Sequence, residues 1–232
     1  MTIKEFENFI LEELEKVIID IVENNLKLPI SAKARAGAEI SNWLEEKFVE
    51  KTKNHEYFKD SESAPKNKTK NPWDAKTVFK YKNIEEEIWI DFKAFKITSA
   101  DTNPDIGSPK KIFKLINEGN FYLAFIHVFY QANSTGLEFV KHEGYYTKSY
   151  FLKDISSTFR RNPKNQLQVN ISAPPEYRTR EKFIKMLISK IKESHKRQIE
   201  ISNKELNKID KEEKQLLKSN GESEKKLIKK LE

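Results

Sequence analysis

Residues 71–97 read NPWDAKTVFKYKNIEEEIWIDFKAFKI. Within them, WDAKTVFKY (73–81) and EEIWIDFKAFKI (86–97) are rich in aromatic and β-branched residues. Both predict strands, joined by a short polar turn around Lys82 and Asn83. Strand side chains alternate, so Asp91 and Lys93 share one face while Ile90, Phe92 and Ala94 line the other. Two charges inside an apolar strand are costly to desolvate unless they are paired or bound to an ion. If Lys82-Asn83 is a two-residue turn, paired positions sum to 165 and Asp74 falls opposite Asp91. Cross-strand Cβ atoms on one face lie roughly 4.5–5.5 Å apart, so both carboxylates can reach one divalent ion. A register slip of two residues keeps the three groups on one face, whereas a slip of one separates them.

These residue types suit one chemistry. A hard cation such as Mg2+ prefers carboxylate oxygens and keeps several waters, so two acids suffice to anchor it on a phosphate. The ion polarises a phosphoryl oxygen and lowers the pKa of bound water. An adjacent lysine orients that water and stabilises developing negative charge. The acid–x–lysine tripeptide by itself carries little weight here. It recurs at Glu45-Glu46-Lys47, Glu212-Glu213-Lys214 and Glu224-Lys225-Lys226, all in predicted helices, where it reads as solvated charge.

Working outward, Phe6, Ile10, Leu14, Val17, Ile18, Ile21 and Val22 recur at helical spacing and predict an amphipathic helix over 3–26, stopped by Pro29. Ile40, Trp43, Leu44 and Phe48 predict a second helix over 34–51. Residues 52–71 are dominated by Lys, Asn, Ser and Glu and read as an exposed loop. Beyond the hairpin, Ser108-Pro109 is an N-cap followed by a first helical residue. Ile112, Phe113, Leu115 and Ile116 are what that short helix would bury. The near-continuous apolar run FYLAFIHVFY (121–130) suits a strand covered on both faces. Weaker strands are expected in 137–152 and 166–172. From Arg180 a helical stretch continues until Asn220-Gly221 is expected to break it.

The pattern around Asp74, Asp91 and Lys93 resembles the PD-(D/E)xK nuclease superfamily, and within it the type II restriction endonucleases. Asp74 matches the first motif acid, with Trp73 standing between it and Pro72. Asp91 and Lys93 match the second motif after 16 intervening residues. The resemblance spans about residues 30–131. It implies an α/β, restriction-endonuclease-like central mixed sheet flanked by helices (αβββαβ core), with a helical C-terminal extension. It implies metal-dependent hydrolysis of double-stranded DNA to 5′-phosphate ends, with Asp74 and Asp91 as Mg2+ ligands and Lys93 serving the attacking water. A glutamate from the helix before the hairpin would assist, Glu39 or alternatively Glu46. A homodimer and a cognate methyltransferase in the same system are also implied. The expected division is a nuclease domain over 1–175 and a basic helical extension over 176–232 for dimerisation or DNA contact.

The basic charge suits a polyanion such as nucleic acid, and fits equally a Lys- and Asn-rich composition from an AT-biased genome. The cell interior, the cytoplasm, is the expected location. The net charge is +7, and the 232 residues include no cysteine, which excludes disulfides, thiolate catalysis and cysteine-based zinc sites. No apolar run predicts a membrane span, and Glu and Lys between positions 4 and 23 predict no signal peptide. Arg160, Arg161, Arg178, Arg180 and the Lys-rich 51–70 segment are phosphate-contact candidates, while Gln131 and Asn133 are base-edge candidates. Asp101 and Asp105 read as turn formers and His127 as a core histidine. Two other readings stand beside this one: a repair or recombination nuclease (junction resolvase or nicking enzyme), and a non-catalytic DNA-binding scaffold.

Overall fold

The computed structural model describes residues 1–30, 35–65, 73–98, 105–119, 121–134, 136–161, 167–170 and 173–231. The chain divides into two units, Met1–Ile184 and Lys185–Glu232. Residues 176–184 therefore belong with the first unit, within which Arg178 and Phe183 are buried.

Helix α1 (Ile3–Glu23) starts at a reciprocal capping box: the Glu5 amide donates to the Thr2 hydroxyl at 3.2 Å, and the Thr2 amide donates to the Glu5 carboxylate at 2.7 Å. It ends at Asn24, whose side-chain amide donates to the Asp20 carbonyl at 2.8 Å. After the short strand β1 (Lys27–Leu28) comes α2 (Ala36–Thr52), which buries Ile40, Leu44, Phe48 and Thr52 at i, i+4 spacing. The stretch expected to be a loop contains β2 (Phe58–Ser63), so that expectation is corrected. Its polar letters conceal an edge strand, anchored by the fully buried Phe58.

Strands β3 (Ala75–Tyr81) and β4 (Ile84–Lys96) form the expected hairpin. Their register runs from Ala75↔Ile90 to Tyr81↔Ile84, so paired positions sum to 165. Lys82 supplies the left-handed turn residue, with φ 54°. Strand β5 (Asp105–Gly107) precedes α3 (Pro109–Glu118), where the Ser108 hydroxyl accepts from the Lys111 amide at 3.3 Å and Pro109 opens the helix. Then β6 (Phe121–Asn133) runs parallel to β4, and α3 lies on the crossover between them. Next come β7 (Gly136–Phe139), β8 (Thr147–Phe151), a 3-10 turn at Leu152–Asp154, and the two-residue strands β9 (Arg160–Arg161) and β10 (Leu167–Gln168). The main sheet has the order β1-β7-β6-β4-β3-β2, with β8 also paired to β6; a small second sheet has the order β5-β10-β9. The succession α2-β2-β3-β4-α3-β6 is the αβββαβ layout, within a mixed sheet flanked by helices.

One face of the hairpin is held rigidly. Ala75, Thr77 and Phe79 of β3 and Ile88, Ile90 and Phe92 of β4 are buried. Phe48 from α2 meets Phe58 and Phe92 at ring-centroid distances of 6.0 and 6.1 Å, and Phe58 meets Phe79 at 5.3 Å. Because strand faces alternate, packing this face sets the direction of Asp91 and Lys93 on the other.

Helix α4 (Arg180–Leu231) runs straight through Asn220-Gly221, contrary to the expected break. One interior glycine costs only about 1 kcal/mol relative to alanine, less than ending a long helix would lose. Among the described residues no helix is long and apolar enough to cross a membrane.

Candidate active site

Asp74, Asp91 and Lys93 come together. Asp74 precedes β3, where its amide donates to the Ile90 carbonyl at 2.8 Å and its Oδ2 accepts from the Phe92 amide at 2.8 Å. Asp91 and Lys93, two residues apart on β4, form an ion pair with both side chains mostly buried.

Electrostatics tie the three into one unit. Burial, then the Asp91 charge, push the Asp74 carboxyl up to about 7, although Lys93 and the Phe92 amide pull it the other way. For Lys93, burial acts to lower the pKa, but the charge and hydrogen bond of Asp91, with the charges of Asp74 and Asp105, hold it above the ordinary lysine value. Lys93 is thus a fixed ammonium, suited to donate hydrogen bonds and stabilise negative charge rather than to act as a base.

Of the acids on α2, Glu45 rather than Glu39 or Glu46 is on the side of β4. Helix α2 approaches β4 through Gly37, whose missing Cβ leaves room for the Ala94 carbonyl, and through Ser41, whose hydroxyl donates to the Phe92 carbonyl at 3.0 Å. Residues four apart share a helix face, so the next residue on that face is Glu45, and its charge reaches Asp74. Glu39 is exposed and lies about 200° around the helix from Gly37, away from β4. Glu46 is exposed as well. Glu45-Glu46-Lys47 alone looks like surface charge; the i, i+4 series Gly37, Ser41, Glu45 is the sequence signal that sets Glu45 on this face.

Behind the site, the catalytic face of β4 continues into β6 and β8. Register places Lys93 beside His127 and His127 beside Lys148, and likewise Asp91 beside Phe125 and Phe125 beside Tyr150. His127 is fully buried, as expected of a core histidine, and its Nε2 lies 3.2 Å from the Tyr150 hydroxyl. Burial, then the Lys148 and Lys93 charges, push its pKa down to about 3, so the ring is neutral. Burial, then the Asp91 charge, raise the Tyr150 phenol.

The expected DNA-contact residues lie elsewhere. Gln131 hydrogen-bonds Glu138 across the β6–β7 pair, and Asn133 is exposed at the end of β6. They are about 20 and about 26 Å along the strand from Phe125, the residue beside Asp91. Arg178 is corrected: it is buried, its guanidinium donates to the Ile155 carbonyl and pairs with Glu176, and its amide donates to Asp154 at 2.7 Å. These contacts make it part of the scaffold rather than a phosphate ligand. Arg180 is exposed and lies 4.7 Å from the centroid of the Tyr122 ring. The side chains of Arg160 and Arg161, residues 66–72 including Pro72, and Asp101 lie outside the described residues. Asp105 opens β5 and contributes to the field at Lys93.

Among the described residues no group of three or more His, Cys, Asp or Glu side chains is gathered to hold a metal ion. Two neighbouring, largely buried carboxylates fit instead an ion that retains water and would complete its shell on a phosphate, as a hard divalent cation does.

A mixed sheet in the αβββαβ layout, with two acids and a lysine gathered on its central hairpin, has the architecture of a restriction-endonuclease-like α/β protein. The chain belongs to the SwaI-like restriction endonuclease family, whose model, described as SwaI restriction endonuclease, matches residues 2–209. It is therefore a nuclease, a hydrolase of the restriction endonuclease class. Among solved structures it is similar to the NlaIV restriction endonuclease, at 14% identity over 78% of each chain with a TM-score of 0.47. No curated protein matches it.

Proposed function

We propose that this chain is a type II restriction endonuclease that hydrolyses double-stranded DNA at a specific sequence, requires Mg2+ and leaves 5′-phosphate ends. The observation carrying this reading is the meeting of Asp74, Asp91 and Lys93 on one face of the β3–β4 hairpin. Asp74 and Asp91 hold the ion, and Glu45 adds negative charge from α2. When bound, magnesium polarises the phosphoryl oxygen and lowers the pKa of its water. Lys93 orients the attacking water and stabilises the charge that develops on the phosphate. Exposed Arg180 and the polar end of β6, Gln131 and Asn133, supply contacts to the duplex. The active enzyme is a cytoplasmic homodimer, since a palindromic site needs two active sites related by a two-fold axis. A cognate methyltransferase protects host DNA.

The test is plasmid digestion with and without Mg2+, together with Asp91→Ala. Discrete fragments from the parent chain, and none from Asp91→Ala while duplex binding is retained, support the reading. Cutting confined to branched DNA points to a repair nuclease. Binding without cleavage under any divalent ion points to a scaffold.

A further inference from the structure

The Lys185–Glu232 unit is a single helix that leaves large apolar side chains in solvent: Ile199, Leu206, Ile209, Leu216 and Leu227 are each more than half exposed. Three more, Ile201, Leu217 and Leu231, are at least as exposed and lie off the line that these five share. With Ile199 set at heptad position a, Leu206 and Leu227 also fall at a, while Ile209 and Leu216 fall at d, joined by the partly exposed Ile188. Apolar residues repeating every 3.5 positions make a narrow seam that meets another helix in a left-handed supercoil. Eight of the fourteen a and d positions from 185 to 230 are polar: Lys185, Lys192, Glu213 and Asn220 at a, and His195, Ser202, Ser223 and Lys230 at d. The family model ends at residue 209, inside this helix, so the far half of the seam lies beyond the matched region.

The polar positions identify the partner. In an antiparallel pair each a residue faces a d residue of the other helix. If residue i of one copy faces residue 415 − i of the other, Ile199 meets Leu216, Leu206 meets Ile209, and Ile188 meets Leu227. In that register Glu213 meets Ser202 and Asn220 meets His195, so apolar layers face apolar layers and polar layers face polar ones. Sliding by one heptad either way breaks the match. It sets Leu206 against Ser202 in one direction and Glu213 against Ile209 in the other. The matched register also overlaps the whole unit, since Lys185 faces Lys230. Its seam from Ile188 to Leu227 is about 60 Å long at 1.5 Å per residue. A parallel pair is disfavoured because it would bury Glu213 against its own copy in mid-seam. The antiparallel register instead confines its like-charged layer, Lys185 with Lys230, to the ends.

We infer that the C-terminal helix pairs with the same helix of a second copy as an antiparallel coiled coil in this register. The inference deepens the homodimer reading above by naming the interface that closes it. An antiparallel pair has a two-fold axis perpendicular to its length, the symmetry a palindromic site demands.

The absence of cysteine makes the register measurable. Two differently tagged full-length chains, one Ile199→Cys and the other Leu216→Cys, are mixed and oxidised. The expected product is a mixed disulfide dimer, with little cross-linking of either chain alone. Self-cross-linking of Ile199→Cys alone would mean a parallel pair and overturn the proposal, as would no cross-link at all. Independently, light scattering should show a dimer that Ile209→Glu weakens at least tenfold, whereas Ile201→Glu, at an equally exposed position off the seam, leaves it unchanged. A chain that cuts DNA as a monomer overturns the interface and leaves the nuclease reading intact. A chain that gives the 199–216 bond but cuts no DNA does the reverse.

Discussion

Burial and the Asp91 charge push the Asp74 carboxyl to about 7, against 3.8 for an ordinary aspartate. The folded chain therefore binds more protons than the unfolded one between those values, and metal-free stability falls as pH rises across that window. A cation at the site offsets the loss. Asp74→Asn is expected to stabilise the metal-free protein at pH 8 by about 1 kcal/mol while abolishing cleavage, the usual opposition of site chemistry and stability. Thermal melts at pH 5 and pH 8 check this; parent and variant curves that move in parallel would sink it. His127 has the opposite sign. Its pKa falls from 6.5 to about 3, so its stabilising contribution is complete above 6.5 and is lost as pH drops through that range. His127→Gln, which keeps a partner for Tyr150, should flatten the acid limb by about 2 kcal/mol at pH 5 relative to pH 7. Urea titrations at the two pH values measure it. Of these residues, Asp91 and Lys93 were legible because two charges inside WIDFKAF need a reason to be there. Glu45 was not, because its role depends on the phase at which α2 meets β4, which local sequence does not encode.

At the scale of elements, the hairpin was readable because strand alternation and a two-residue turn leave one register that keeps apolar residues on one face. Strand β2 was not: FKDSES offers only Phe58 as an apolar anchor, and the register against β3 shifts between Lys59 and Glu62. Its pairing comes from the edge that β3 presents, not from its own composition. The close approach of α2 to β4 is the element-level feature with a catalytic consequence. A Cβ at Gly37 would meet the Ala94 carbonyl oxygen at 3.2 Å, and that atom is backbone that cannot rotate away. Gly37→Ala should lift α2 by a few tenths of an ångström and carry Glu45 with it. Because small misplacements at a reacting centre are costly, kcat is expected to fall roughly tenfold while stability changes by only about 1 kcal/mol. Comparing kcat with the melting temperature separates this from unfolding. A large loss of Tm with normal turnover of the remaining folded enzyme would show that the contact matters only for packing.

For the whole molecule, charge is divided more sharply than apolar surface. Residues 185–232 carry 14 Lys/Arg against 9 Asp/Glu, a net +5 of the chain's +7, so residues 1–184 hold only +2. Net charge alone therefore directs the attraction for a polyanion more to the helix than to the first unit. The amino-acid sequence disclosed this asymmetry, but Asn220-Gly221 concealed the helix's length, since a lone glycine weakens a helix without ending it. A consequence follows for DNA affinity. Lys218, Lys225, Lys226 and Lys229 lie off the a and d positions, so replacing all four with Gln removes four charges and spares the seam. Each lysine that neutralises a phosphate contributes roughly 0.9 to the slope of log affinity against log salt. The quadruple variant should therefore bind non-cognate duplex more weakly at low salt and lose up to about 3.6 from that slope, while cutting its cognate site with unchanged fragment ends. An unchanged slope would mean that these four lysines never meet the backbone, and that other cations of the chain supply the attraction.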